Sequence, residues 1–244
     1  MSGFLALFLR EMLITKHRLP RFLASWTVMP LLYMLAFGWG MGSRVTQEGV
    51  PYLAFLVPGL LAMSTMTYSF AIASELNITR FYWKVFDHFQ AAPVSFGTIA
   101  AAEVAAATVR GLAAGCVVAL LALAFRVSIQ TTPVLVLGVL LNCIIFGSLG
   151  VAAAMIVRGH ADQVIIANFV ITPMSFLCGT VFSARALPEW GNYLIHALPL
   201  TYSVRVIRAG TQGREVAGTD VVILLCFAVM AMALARWTVG RSRQ

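Results

Sequence analysis

Apolar positions in this chain neither alternate nor keep to one helical stripe; they come in long runs. Stretches with few or no charges cover about 22–42, 51–74, 96–125, 133–157, 161–181 and 220–238, separated by short polar or basic connections. A helical crossing needs about 20 such residues to traverse roughly 30 Å of hydrocarbon. The pattern predicts an all-α polytopic membrane protein with six transmembrane helices, built as one domain over residues 1–244. Three segments fall outside the six runs. Residues 1–21 mix Phe4, Leu5, Phe8, Leu9, Met12 and Leu13 with charges, as an interfacial amphipathic helix does, and Pro20 is the expected stop. Residues 79–92 form a polar connection between the second and third runs. Residues 182–218 are too polar to cross, yet carry Leu187, Trp190, Tyr193, Leu194, Leu198 and Leu200.

Composition agrees with the pattern: 60% of the chain is hydrophobic and 11% charged, against about 45–50% and 25% in soluble proteins. A net charge of +8, from 17 basic and 9 acidic residues, would suggest nucleic acid in a soluble protein. Here the basic residues flank apolar runs, where they suit anionic headgroups, and nucleic acid is rejected as a ligand. Cys116, Cys143, Cys178 and Cys226 all fall in apolar stretches without C-x-x-C spacing, so they read as buried thiols and no metal site is expected. The dipeptide Gly-Lys is absent, so no phosphate-cradling P-loop exists, and neither G-x-S-x-G nor H-E-x-x-H occurs. The chain reads as a non-enzyme with no cofactor of its own; ATP-driven work, with its ATP and Mg, would require a partner.

Orientation follows from the basic residues. With the N-terminus inside and six crossings, Arg10, Lys16, Arg18, Arg21, Arg80, Lys84, Arg158, Arg236, Arg241 and Arg243 are cytoplasmic, and Arg44, Arg126, Arg185, Arg205, Arg208 and Arg214 lie outside. The excess on the inner side places both termini in the cytoplasm.

Two constellations are candidates for function. In the connection after the second run, Arg80, Lys84, Asp87 and His88 share one sector of a helix at 100° per residue, and Phe81, Tyr82, Val85, Phe86 and Phe89 share the opposite one. Such a helix either lies on lipid or presses into a soluble partner. Pro93 separates it from the third run and lets it lie across the membrane plane. The third run carries the two deeply placed charges, Glu103 and Arg110, seven residues and about 10 Å apart on one helical face. Each costs roughly 2.5–3.5 kcal/mol at mid-membrane, so both are expected to face protein or water. They serve either to tie neighbouring helices or to meet a polar cargo. Gly97, Ala101, Ala105, Gly111 and Gly115 give the same run small-x-x-x-small spacings for close helix contact.

Tyr52-Leu53-Ala54-Phe55-Leu56-Val57-Pro58-Gly59-Leu60, the amphipathic helix ending in Ala91-Ala92-Pro93-Val94, and Leu187-Pro188-Glu189-Trp190 followed by Leu198-Pro199-Leu200-Thr201-Tyr202 and Arg208 occur in this order along the chain. In these strings it resembles the membrane subunit of bacterial type-2 ABC exporters, close to the lipo-oligosaccharide, nodulation-factor and drug-export permeases. The resemblance implies an inner-membrane permease that pairs with a second permease copy and with two separate ATPase subunits. It implies that Arg80, Phe81, Tyr82, Trp83, Lys84, Phe86, Asp87 and Phe89 form the ATPase-coupling helix. It also implies a re-entrant hairpin over about 182–208, with Pro188, Trp190, Tyr193, Pro199 and Tyr202 at the extracytoplasmic end; an outer aromatic belt accounts equally for Trp190 and Tyr193. Export of an amphipathic, lipid-like, glycolipid or drug cargo by alternating access is the implied function. An ion-coupled secondary carrier is the alternative, and it would show internal repeats and several intramembrane ionisable groups.

Overall fold

The computed structural model describes residues 3–40, 46–47, 49–82, 94–181 and 189–241. In chain order the elements are α1 (Gly3–His17), α2 (Leu19–Gly40), strands β1 (Thr46–Gln47) and β2 (Val50–Pro51), α3 (Tyr52–Phe70) and α4 (Ile72–Asn77), which continues into a π-helical turn (Ile78–Tyr82). Then follow α5 (Phe96–Ala124), α6 (Pro133–Ile156), α7 (His160–Ile166), a second π-helical turn (Ala167–Ile171), α8 (Thr172–Leu177), α9 (Glu189–His196), α10 (Pro199–Gln212) and α11 (Gly218–Arg241).

Five helices are long and apolar enough to cross a membrane: Leu19–Gly38, Tyr52–Tyr82, Phe96–Ala124, Pro133–Ile156 and Gly218–Arg241. They coincide with the first, second, third, fourth and sixth apolar runs. The remaining run, 161–181, is helical in three consecutive pieces from His160 to Leu177. Pro173 explains the interruption, because it lacks an N–H and its ring collides with the carbonyl four residues back, which widens the preceding turn. Thr172 donates instead to the Ala167 carbonyl, five residues back, at 3.2 Å.

Pro20 does not end the first helix. The helix stops at His17, and Pro20 is the second residue of α2, a first-turn position where a missing N–H costs nothing. Interior burial also differs from the apolar-run reading for two cysteines. Cys143 and Cys178 are buried, whereas Cys116 and Cys226 are exposed. In a membrane helix an apolar run describes the lipid-facing side as well as the packed one, so the run cannot tell the two apart.

The core centres on α6, which packs against α3, α5, α10 and α11. Small residues set the spacing. A Cβ at Gly111 would strike the Ser69 hydroxyl and lie 2.8 Å from Cys143 Sγ, and one at Gly115 would lie 2.9 Å from Thr65 Cγ2. The small-residue face of α5 is thus turned toward α3 and α6. Asn142, fully buried, pins the same junction by donating to the Ala62 carbonyl at 3.0 Å and Thr65 Oγ1 at 2.8 Å.

Candidate functional site

At the end of the bundle that carries the N-terminus, α1 lays Leu7 and Glu11, four residues apart on one face, into the protein, while Phe4, Leu5, Leu9 and Leu13 stay exposed. Glu11 lies there because Arg110 does. The Arg110 guanidinium donates to Glu11 Oε2 at 2.7 Å and to Glu75 Oε2 of α4 at 2.5 Å, while its Nε donates to Thr15 Oγ1 at 2.8 Å. Arg10 closes the second oxygen of Glu11 at 2.6 Å. A single planar donor group therefore joins three elements, which its fork geometry suits and a lysine's point charge does not. The expectation that Arg110 faces protein holds, and its partners come from the N-terminal helix and the end of the second span.

Glu103 is different. It is 1% exposed, and neither of its carboxylate oxygens has a hydrogen-bond partner among the described residues. With Glu11, Arg18, Glu75 and Thr79 it lines a cavity of about 20 Å³, large enough for one water. The shared face of Glu103 and Arg110 therefore meets the same pair of neighbouring carboxylates, but only Arg110 is compensated.

The second span leads from this joint into the polar connection. Asn77 donates to Gln163 of α7 at 3.1 Å. Arg80 donates to the Ala154 and Met155 carbonyls at 3.0 and 2.9 Å, where α6 ends, a placement favoured by the negative end of the helix dipole. Its guanidinium also sits 5.0 Å from the Phe81 ring. Phe81 and Tyr82 are exposed, 36% and 71%. Of the remaining coupling candidates, Trp83, Lys84, Phe86, Asp87 and Phe89 lie outside the described residues.

At the opposite end, α9 and α10 form consecutive helices joined at Ala197 and Leu198. Pro199 occupies the first turn of α10 and is buried. Tyr202 donates to the His196 carbonyl at 2.9 Å, capping α9, and Tyr193 is 79% exposed. Pro188 and the side chain of Trp190 lie outside the described residues. The three successive carbonyls of Gly179, Thr180 and Val181 are held against α3 and α10. Arg208 donates to Gly179 O at 2.7 Å with its guanidinium 4.0 Å from the Phe55 ring, Thr180 O abuts Gly59, and Tyr52 donates to Val181 O at 2.9 Å.

The sequence matches the family described as ABC-2 type transporter over residues 2–211. The chain belongs to that family. Among its relatives are the inner membrane transport permease YadH of Escherichia coli (strain K12), 29% identical over 223 residues, which cover 88% of this chain and 85% of the relative. Nodulation protein J of Rhizobium meliloti (strain 1021) is 30% identical over 215 residues, covering 84% and 80%. Nodulation protein J of Sinorhizobium fredii (strain NBRC 101917 / NGR234) is 29% identical over 211 residues, covering 84% and 80%. The chain is a transport permease with several membrane-spanning helices.

Glu11 and Glu75 are the partners of Arg110 that sequence reasoning passed over. Both were visible as acidic side chains at the edges of apolar segments, and the need to neutralise a buried Arg110 was the signal that called for them.

Proposed function

We propose that the chain is the membrane subunit of an ATP-driven exporter of the inner membrane, working as two copies with two separate ATPase subunits. Both termini lie in the cytoplasm, the segmented helix 160–177 is the fifth of six crossings, and α9 with α10 is the extracytoplasmic re-entrant hairpin. The segment 79–92 is the contact through which the ATPase acts.

One observation carries this reading: the second span, Tyr52–Tyr82, carries through α3, α4 and the π-helical turn to the first residues of the proposed coupling segment, and just before that point Glu75 is tied through Arg110 to α1 and α5. A displacement of the coupling segment by nucleotide-driven closure would be passed directly to three helices. The cargo is amphipathic. A cleft of about 180 Å³ between α2, α3 and α8, lined by Met29, Tyr33, Met63, Ser64, Tyr68 and Phe176 among others, offers apolar and hydroxyl groups and no charge. The unpartnered carboxylate of Glu103 is the one feature that favours an ion-coupled carrier; efflux from vesicles holding the permease alone, driven by an ion gradient, would support that alternative.

The test is co-expression with its ATPase at matched membrane abundance, reading ATPase co-purification and efflux together. Buried aromatic anchors cost about 2 kcal/mol or more when truncated and exposed charges about 0–1, so Phe86→Ala is expected to weaken association or uncouple hydrolysis and Lys84→Ala to do so less. Normal complex formation and efflux in a Phe81, Phe86 and Phe89 triple-alanine variant would return this segment to the lipid interface.

A further inference from the structure

Where α11 ends, its last two turns lie over the first turn of α5 and leave an open cleft of about 830 Å³ lined by Ser95, Phe96, Gly97, Arg236, Trp237 and Arg241, among others. Among the described residues no acidic side chain lines this cleft, and neither arginine has an ion-pair partner. Arg241 is complemented by the end of its own helix and by Trp237, whose ring is 5.2 Å from the guanidinium. Arg236 is not. A Cβ at Gly97 would lie 3.4 Å from its Nε and 3.6 Å from its Cζ, so this exposed cation lies beside the first turn of α5. The helix N-cap, Ser95, is already satisfied by Thr98, and the Gly97 amide in the first turn has no intrahelical acceptor. A cation against a helix N-terminus is an unfavourable pairing that an anion between them would reverse.

Depth selects the anion. From Gly218 to Arg236 the helix rises about 27 Å, close to the roughly 30 Å hydrocarbon thickness, and Arg241 lies about 7.5 Å farther on. The apolar window of this helix has a mean hydropathy of 2.2. Trp237 is 57% exposed, at the level where indole rings favour the interface. Both guanidinium groups are therefore at headgroup height, with an apolar floor below them. We propose that this cleft is a specific binding site for the phosphate of an anionic phospholipid in the leaflet facing the chain termini. Arg236 and the first turn of α5 contact the phosphate, Arg241 closes the outer side, and Trp237 covers the glycerol region. Charge complementarity and depth argue for lipid over an acidic segment of a soluble protein, because at headgroup height an apolar floor lies directly below the two cations, where an acyl chain continues and a polar segment does not.

The purified full-length permease in detergent is titrated with phosphatidylglycerol, phosphatidylcholine or inorganic phosphate, reading bound lipid by native mass spectrometry and the thermal unfolding midpoint. Phosphatidylglycerol should be retained and should raise the midpoint, phosphatidylcholine much less. The Arg236→Gln/Arg241→Gln variant should lose apparent affinity for phosphatidylglycerol by on the order of tenfold or more, while Arg126→Gln, at the other end of α5, keeps it. Both cleft arginines are exposed and have no ion-pair partner among the described residues, so the variant should fold; Arg236→Lys, which keeps charge but loses the fork, should fall between. Equal retention of phosphatidylglycerol by wild type and the double variant would overturn the proposal. Equal protection by phosphatidylcholine or by inorganic phosphate would also overturn it, as would loss of ATPase co-purification with lipid retention unchanged.

Discussion

Replacing Arg110 by alanine tests the joint directly. The substitution leaves two carboxylates facing each other across the vacated guanidinium site: Glu11, whose side chain is 5% exposed, and Glu75, at 23%. It also strips Thr15 of its donor. Removing one partner of a buried ion pair costs about 3–5 kcal/mol, chiefly because the remaining charge is left desolvated and unpaired. Glu11 keeps Arg10, and Glu75 retains some access to water, so the lower half of that range is expected. At about 2–4 °C per kcal/mol for a chain of this size, the unfolding midpoint in detergent should fall by roughly 6–16 °C. Arg126→Ala is the reference. That residue is exposed, and its left-handed φ of 57° is borne by a Cβ in both the parent and the variant, so its effect should stay within about 0.5 kcal/mol. The cause is isolated by the triple variant Glu11→Gln/Glu75→Gln/Arg110→Met, which removes the stranded charges and should recover more than half of the loss. Arg110→Ala and Arg126→Ala unfolding at the same temperature would refute the reasoning, because a guanidinium whose loss costs nothing is solvated or snorkelling rather than holding three helices.

Two further tests address topology and packing. In a cysteine-free background, cysteines at Glu215 and Ala217, both exposed between α10 and α11, should react with an impermeant maleimide in intact cells, whereas one at Arg18 should react only after permeabilisation; the reverse pattern would invert the orientation. Gly59→Ala should destabilise the permease by about 1–3 kcal/mol despite alanine's better helix propensity, because its Cβ meets the rigid Thr180 backbone carbonyl. Gly40→Ala, with open space around it, should be neutral or slightly stabilising, and equal thermal midpoints for the two variants would show that the Gly59 contact is not close-packed.

The crossings were legible because lipid imposes a length and a polarity that no other environment does. The predicted bounds 96–125 and 133–157 fall within a residue of Phe96–Ala124 and Pro133–Ile156, since Ser95 and Thr132 cap those helices and mark their starts. Other features were not legible, for reasons of packing. The run 161–181 has the composition of a crossing, but Pro173 has no N–H to donate and the turn before it widens, with Thr172 bonding to the Ala167 carbonyl, and hydropathy does not register hydrogen-bond register. Cys116 and Cys143 sit in equally apolar surroundings, yet one faces outward and the other touches the α5 glycine face; only the packing partner separates them. The helical wheel placed Arg80 on a polar sector available to a partner, but it could not show that Arg80 itself reaches the end of α6, where two carbonyls require a donor.

That placement of Arg80 changes how force reaches the bundle. The last carbonyls of α6 have no helical donor, and Arg80 supplies one from the very start of the proposed coupling segment, so α6 and the second span are joined at their ends as well as along their packed faces. Glu75, five residues earlier, joins the same span to α1 and α5 through Arg110. Asn77, between them, joins it to α7 through Gln163. Three polar ties within six residues thus connect one short stretch to α1, α5, α6 and α7, and each is a directional bond that breaks over a fraction of an ångström rather than stretching. Apolar helix faces slide on one another with little resistance, whereas these ties resist sliding and transmit displacement. A chain that had only to be stable in lipid would gain more from apolar packing at these positions than from buried charges whose desolvation offsets their attraction. The concentration of polar ties at the root of the proposed coupling segment is therefore better explained by a requirement that this end of the bundle move as one piece.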